Sequence, residues 1–329
     1  MTQYLIPDRF ILMILAALMA GWFLPVRGAT LGFAQNVIFA GIFGLFFLHG
    51  LRLSRHEVAK AARGWRLQAA MLVFCFGAMP LAGWALSQTF AAAGSVLPPL
   101  VIAGLVYTSI LPSTVQSAIS YTSIAGGNVA ASVVGAALSN LAGIILTPLL
   151  AALLLSHNGG LIFNGEIIIK IAVLLLLPFA LGQAAQYWLG SWAAKQKKLL
   201  SIFDKSVILL AVYIAFAGAV ASGALGQITR DTWTALLLAI SLLLAFAFGG
   251  AFILGKMLKL ERRDKISLLY AGAHKSIATG APMAAILFGS NAGLIILPAV
   301  IYHIAQLIFS APLAARLAAQ NGASRPQVI

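Results

Sequence analysis

The stretch Val106-Tyr107-Thr108-Ser109-Ile110-Leu111-Pro112-Ser113-Thr114-Val115-Gln116-Ser117-Ala118-Ile119-Ser120 decides how the chain is read. It sits inside an apolar run at residues 97–124, long enough to cross a bilayer, which takes roughly 20 apolar residues. Pro112 has no N–H and disfavours helical backbone at Leu111 before it. Hydroxyl and amide side chains crowd the same few turns. A span interrupted there leaves backbone groups without helical partners at membrane depth, which is tolerated only inside protein or beside a wet cavity. The segment is either a proline-kinked helix whose hydroxyls satisfy its own backbone, or a broken helix whose free groups bind a solute or ion.

A second segment has the same character. Tyr270-Ala271-Gly272-Ala273-His274-Lys275-Ser276-Ile277-Ala278-Thr279-Gly280-Ala281-Pro282 carries glycines, a proline and polar groups inside the run 266–289. One such segment favours the kinked helix; two in matching places favour a binding site.

Composition sets the frame around them. Of 329 residues, 61% are hydrophobic and 9% charged, against about 25% charged in a soluble domain. The chain reads as an all-α integral membrane protein. Continuous apolar runs exclude a β-barrel, whose strands alternate. Polar gaps of about 16 residues at most, Leu51–Arg66 and Gly190–Lys205, leave no room for a sizeable soluble domain. The single Cys75 lies in an apolar run and reads as a packing residue. The run Phe10–Leu24 lacks a clear small-x-small cleavage site and reads as a retained first span.

Apolar segments fall at 10–24, 31–51, 69–90, 97–124, 128–155, 167–187, 206–224, 233–256, 266–289 and 293–315, which gives ten transmembrane helices. With the amino terminus on one side, 17 of the 21 basic residues fall on that side, and only Arg27, Lys170 and Arg230 on the other. The net charge of +14 is therefore an orientation signal that places both termini in the cytoplasm, and it does not point to nucleic acid. The joints Ala125-Gly126-Gly127-Asn128 and Gly289-Ser290-Asn291-Ala292-Gly293 resemble each other. Each is followed by a Pro-Leu pair, Pro148-Leu149 and Pro312-Leu313. The chain divides into residues 1–155 and 156–329, two five-span halves inverted relative to one another, an arrangement that places a solute site at the midplane.

The acids Asp8, Glu57, Glu166, Asp204, Asp231, Glu261 and Asp264 all fall at helix ends or in loops. Lys275 is the one charge at mid-membrane, and a charge there is costly enough to mark a functional site. His274 reads equally as a donor or as a satisfied interior residue. His49 and His303 read as packing residues or helix–helix hydrogen bonders, and His56 and His157 as loop residues. No nucleophile motif, paired-acid motif or metal-ligand cluster is present, so the chain does not read as an enzyme.

Three stretches resemble the bile acid:sodium symporter superfamily. They are Leu111-Pro112-Ser113-Thr114-Val115-Gln116-Ser117, Thr122-Ser123-Ile124-Ala125-Gly126-Gly127-Asn128-Val129-Ala130 with Leu138-Ser139-Asn140, and His274-Lys275-Ser276-Ile277-Ala278-Thr279-Gly280-Ala281-Pro282-Met283. The last is similar to the SBF-like branch. The resemblance implies a panel domain beside a core domain, with broken helices four and nine crossing in the core. It implies sodium ligands at Gln116, Ser117 and Ser132. It also places Ala136, Tyr270 and His274 where sodium-dependent members have a hydroxyl, a shared carboxylate and a glutamine. That pattern puts sodium coupling in doubt, and sodium is the one candidate ion.

The leading reading is a secondary transporter of the cytoplasmic (inner) membrane that moves a small organic anion by alternating access. The site residues are Ser113, Thr114, Gln116, Ser117, Asn128, Ser132, Ser139, Asn140, His274, Lys275, Ser276 and Thr279. The partners are the solute and membrane lipid, with no further cofactor. A channel, an intramembrane enzyme and a lipid-binding protein are the alternatives. On this reading the Lys275 ammonium stands where relatives hold a sodium ion.

Overall fold

The computed structural model describes residues 9–26, 29–52, 64–94, 96–155, 169 and 172–320. All regular structure among them is helical. The helices are α1 (Arg9–Phe23), α2 (Ala29–Arg52), α3 (Trp65–Val73), α4 (Met79–Ala92), α5 (Pro99–Ile110), α6 (Val115–Ile124) and α7 (Val129–Leu155). They continue as α8 (Leu177–Lys195), α9 (Lys197–Ala221), α10 (Arg230–Met257), α11 (Arg262–Ala273), α12 (Ile277–Phe288) and α13 (Ala292–Ala319). A π-helical turn, Phe74–Ala78, joins α3 to α4. Asp8, Arg27, Arg55, His56, Glu57, Lys60, Arg63, His157, Glu166, Lys170 and Arg325, used in the charge and loop readings, lie outside the described residues.

Local chemistry shapes several of these helices. Pro99 stands in the first turn of α5, where a backbone N–H would lack a helical partner in any case. Pro80 and Pro178 instead follow the π-helical turns Phe74–Ala78 and Ala172–Leu176 and remove a donor from a continuing helix. Thr229 caps α10: its hydroxyl accepts from the Thr232 N–H at 3.2 Å, and the Thr232 hydroxyl accepts from the Thr229 N–H at 3.3 Å. Asp231 in the first turn and Lys256 in the last suit the helix dipole.

Seven helices among the described residues are long and apolar enough to cross a membrane, or eight if α5 and α6 form one span bent by 58°. This makes the chain a multi-pass membrane protein. The count takes Arg262–Ala319 as one run of 58 residues. Such a run would be about 87 Å long, nearly three times the hydrocarbon thickness. It folds back instead, and α12 packs on α13. The turn is at Gly289, whose φ of 51° strains any residue with a Cβ.

Helix α1 packs on α9, and α2 on α8 and α9. Helices α3 to α7 and α10 to α13 pack largely among themselves, and α12 and α13 also touch α9. The α2–α8 contact is close because both helices put glycine there. A Cβ on Gly50 would strike the Phe179 carbonyl, and one on Gly182 would strike the Phe47 carbonyl. Apolar side chains such as Leu149, Leu153 and Ile253 point outward, as lipid-facing residues do.

Candidate functional site: the crossing of two interrupted helices

Helix α5 stops at Ile110 because Leu111, ahead of Pro112, is extended (φ −67°, ψ 148°). Helix resumes at Val115 after an extended Thr114. The second interruption runs from His274 (φ −74°, ψ 136°) to Ser276 (φ −88°, ψ 106°). No proline stands there, and Pro282 rides inside α12. Contacts from neighbouring helices hold this second break open. The breaks bond directly to one another. The Ser276 N–H donates to the Pro112 carbonyl at 2.9 Å, and the Thr114 hydroxyl donates to the Lys275 carbonyl at 2.9 Å.

A buried carbonyl without a donor costs about 1–3 kcal/mol, so each one released by the breaks needs a partner. Ile110 O accepts from the Thr147 hydroxyl at 2.9 Å, and Ser113 O from the Asn140 amide at 2.8 Å. Ala273 O accepts from the Tyr302 hydroxyl at 2.7 Å. Gln306 holds the Lys275 peptide from both sides: its Oε1 accepts the Lys275 N–H at 2.8 Å and its Nε2 donates to the Lys275 carbonyl at 3.1 Å. The Ser113 N–H donates to Ser139 Oγ at 2.9 Å, and the Thr279 hydroxyl donates to Asn140 Oδ1 at 2.7 Å. The Ser113 hydroxyl is buried and has no partner among the described residues.

The Lys275 side chain is 2% exposed. Its ammonium donates to the Leu111 carbonyl at 2.8 Å and to the Cys75 carbonyl at 3.0 Å, and lies 3.3 Å from Cys75 Sγ. The Cys75 carbonyl is free for a local reason. In the π turn, Met79 bonds back five residues to the Phe74 carbonyl. The next donor in that ladder would be Pro80, which has no N–H. The ammonium therefore reaches main-chain oxygens, and it is the Lys275 carbonyl that Thr114 binds. Cys75, read from the sequence as packing, is a partner of the buried charge, and the thiol also lies 3.5 Å from Ser139 Oγ.

Beside the crossing is a cavity of about 480 Å³. Its inner end is lined by Thr114, Gln116, Ser117, Asn140, Ser276 and Thr279. Its walls are apolar and include Ile144, Phe179, Ile208 and Leu307. Its far end holds His49, Lys205 and the ion pair of Arg52 with Asp204, which are 2.5 Å apart. Helices α6 and α12 both begin at the cavity, so two positive dipole ends face it.

The structure thus brings Ser113, Thr114, Gln116, Ser117, Ser139, Asn140, Lys275, Ser276 and Thr279 to the crossing or its cavity. His274 stands behind it: Nδ1 lies 2.8 Å from Ser117 Oγ and Nε2 lies 2.8 Å from Ser310 Oγ. Asn128 and Ser132 lie elsewhere. The Asn128 amide donates to Asp264 at 2.8 Å, and the Ser132 hydroxyl accepts from Thr122 at 3.2 Å. Ser132 is not among the cavity-lining residues, whereas Gln116 and Ser117 are. Tyr270 is buried, with Tyr121 stacked on it 5.8 Å away. No group of His, Cys, Asp and Glu among the described residues could hold a metal ion. Thr147, Tyr302 and Gln306 join the site although nothing in the motifs singles them out. The spacing of His303, Gln306 and Ser310 on one face of α13 was the available signal.

The sequence pattern of the SBF-like CPA transporter family matches residues 8–319. "Uncharacterized protein PA2026" of Pseudomonas aeruginosa is 38% identical over 314 residues, covering 95% of this chain and 93% of that one. "Putative symporter YfeH" of Escherichia coli is 36% identical over 325 residues, covering 98% and 96%. "Sodium/bile acid cotransporter 7" of Xenopus tropicalis is 26% identical over 299 residues, covering 87% and 84%.

Proposed function

Because this chain belongs to the SBF-like CPA transporter family, we propose that it moves a small organic anion across the cytoplasmic membrane by alternating access. The observation that carries this is the cavity at the crossing, into which the amino termini of α6 and α12 open. Neutral polar groups at its inner end orient the anion, the two helix dipoles attract it, and apolar walls take its hydrocarbon part. Arg52, Asp204 and Lys205 stand at the end of α2 and the start of α9, the basic side of the charge map. The cavity in this state opens to the cytoplasm.

Ten spans follow if α1 crosses, α3 with α4, α5 with α6, and α11 with α12 each make one pass, and Gly289 turns the last pair into α13. Residues 1–155 and 156–329 then form two inverted halves with both termini cytoplasmic. Packing supports the symmetry, since α1 on α9 has its counterpart in α8 on α2, and α4 on α5 in α10 on α11. Helices α1, α2, α8 and α9 are the panel, and the others are the core.

Sodium does not fit the crossing. The carbonyls of Leu111 and Cys75 are held by an ammonium, which would repel a second cation at this range. Hard cations also want anionic oxygen ligands, and Tyr270 stands where the resemblance places the carboxylate. Lys275 is the tethered cation of this site, and transport runs without external sodium.

Purified protein in liposomes, offered a panel of labelled organic anions, tests both statements. Uptake that persists when potassium replaces sodium is the expected result. Folded protein that carries none of the anions overturns the transport reading, and strictly sodium-dependent uptake overturns the role of Lys275.

A further inference from the structure

We propose that His303 is a proton-binding residue that couples the solute cavity to the crossing, through the clasp that Gln306 makes on the Lys275 peptide. This rests on the transport reading only for its use; the switch itself is argued from hydrogen-bond geometry.

Gln306 is oriented without ambiguity. The Lys275 N–H can only donate, so the group 2.8 Å from it is the Gln306 carbonyl oxygen. The Gln306 amide nitrogen therefore lies on the other side, 3.1 Å from the Lys275 carbonyl and 2.8 Å from His303 Nδ1. An amide N–H donates, so Nδ1 is the acceptor and carries no proton in this state. His303 lines the cavity, so a proton can reach it from the side the cavity opens to.

A proton on Nδ1 would set two donors against each other at 2.8 Å. The imidazolium has an acceptor in reach, the Lys275 carbonyl 3.3 Å from Nδ1. That oxygen already takes bonds from Thr114 and Gln306. The displaced group is the Gln306 amide, whose other arm holds the Lys275 N–H. Protonation thus opens the clasp on the second break, and with it the bonds that tie Lys275 to Leu111 and Cys75.

Several other charged and titratable groups stand near His303 among the described residues. Across the cavity stand His49 and Arg52 of α2 and Asp204 and Lys205 of α9, with Arg52 and Asp204 paired. The Lys275 ammonium points away to Leu111 and Cys75, and His274 is held between Ser117 and Ser310. The hydroxyls of Tyr107, Tyr121 and Tyr302 donate to the carbonyls of Gly280, Leu307 and Ala273. None of them competes for Nδ1.

The single cysteine of the chain reads this switch without any substitution. Cys75 is 1% exposed and sits against Lys275. Its rate of labelling by N-ethylmaleimide, divided by the rate for denatured protein at the same pH, removes the thiol's own chemistry. Between about pH 8 and about pH 5, the range over which imidazole titrates, the normalised rate should rise several-fold in the wild type and stay flat in His303→Gln. A flat wild type, or an equal rise in His303→Gln, overturns the proposal. If His303→Gln does not fold, Gln306→Leu takes its place. Its rate should be high at both pH values, and a wild-type pH response in it overturns the proposal. No solute enters the assay, so its failure is separate from failure of the transport reading.

Discussion

The Lys275 ammonium lies 2.8 Å from the carbonyl oxygen of Leu111, a residue 164 positions earlier in the chain. One side chain from the second interrupted helix thus closes the open end of the first. The same ammonium takes the Cys75 carbonyl that Pro80 leaves free. Three elements meet on one charged group.

Replacing Lys275 by Ala should lower stability as well as abolish transport. It strips the ammonium from two buried carbonyls, each at about 1–3 kcal/mol. Insertion should be unaffected, because losing a charge makes a span more apolar. Thermal unfolding of Lys275→Ala in detergent checks this. A midpoint equal to the wild type, together with normal uptake, refutes the structural role.

Asn140 and Thr279 form a bond at 2.7 Å between α7 and α12, while Asn140 also holds Ser113 O. Asn140→Ala should cost more than Thr279→Val, since it frees two groups rather than one. A double-mutant cycle should return a coupling of about 0.5–3 kcal/mol. Additivity of the two substitutions would show that they do not interact.

Gly50 and Gly182 let α2 and α8 touch backbone to backbone. Gly50→Ala or Gly182→Ala drives a methyl group into a carbonyl that cannot move away from its own helix, as at small-residue contacts in membranes. Each should reduce folded yield sharply, whereas Gly218→Ala, with open space around it, should not. Size-exclusion profiles of the three variants decide the matter.

Asp204 is the only described partner of Arg52 in an ion pair. Asp204→Asn leaves Arg52 uncompensated at the cavity mouth. Affinity for an anionic probe should then increase, read as a lower KM for whichever labelled anion the wild type carries. An unchanged KM would place the pair outside the solute's path.

Much of this was legible in the chain. Apolar length gives membrane crossing, because a bilayer's thickness fixes how many residues a helix needs. Pro112 gives the first break, because its ring acts on Leu111 wherever the segment lies. The hydroxyls and amides of 113–117, 139–140 and 276–279 announce that released backbone groups will need partners. The second break was legible only as a cluster of polar residues. Pro282 suggested it, yet the chain leaves the helix before that residue, where Gln306, Thr114 and Pro112 bind the freed peptides.

Tertiary structure alone decided which group satisfies which. Helical periodicity speaks for contacts three or four residues apart, and says nothing about partners 200 positions apart, such as Lys275 and Cys75. It left Asn128 and Ser132 with the same standing as Asn140, although packing turns them to Asp264 and Thr122. It also left His303 as a packing or helix–helix hydrogen-bonding residue, with the same standing as His49. The state of that ring is set by a glutamine one turn away, whose own direction is fixed by the Lys275 N–H, a donor that cannot be reversed.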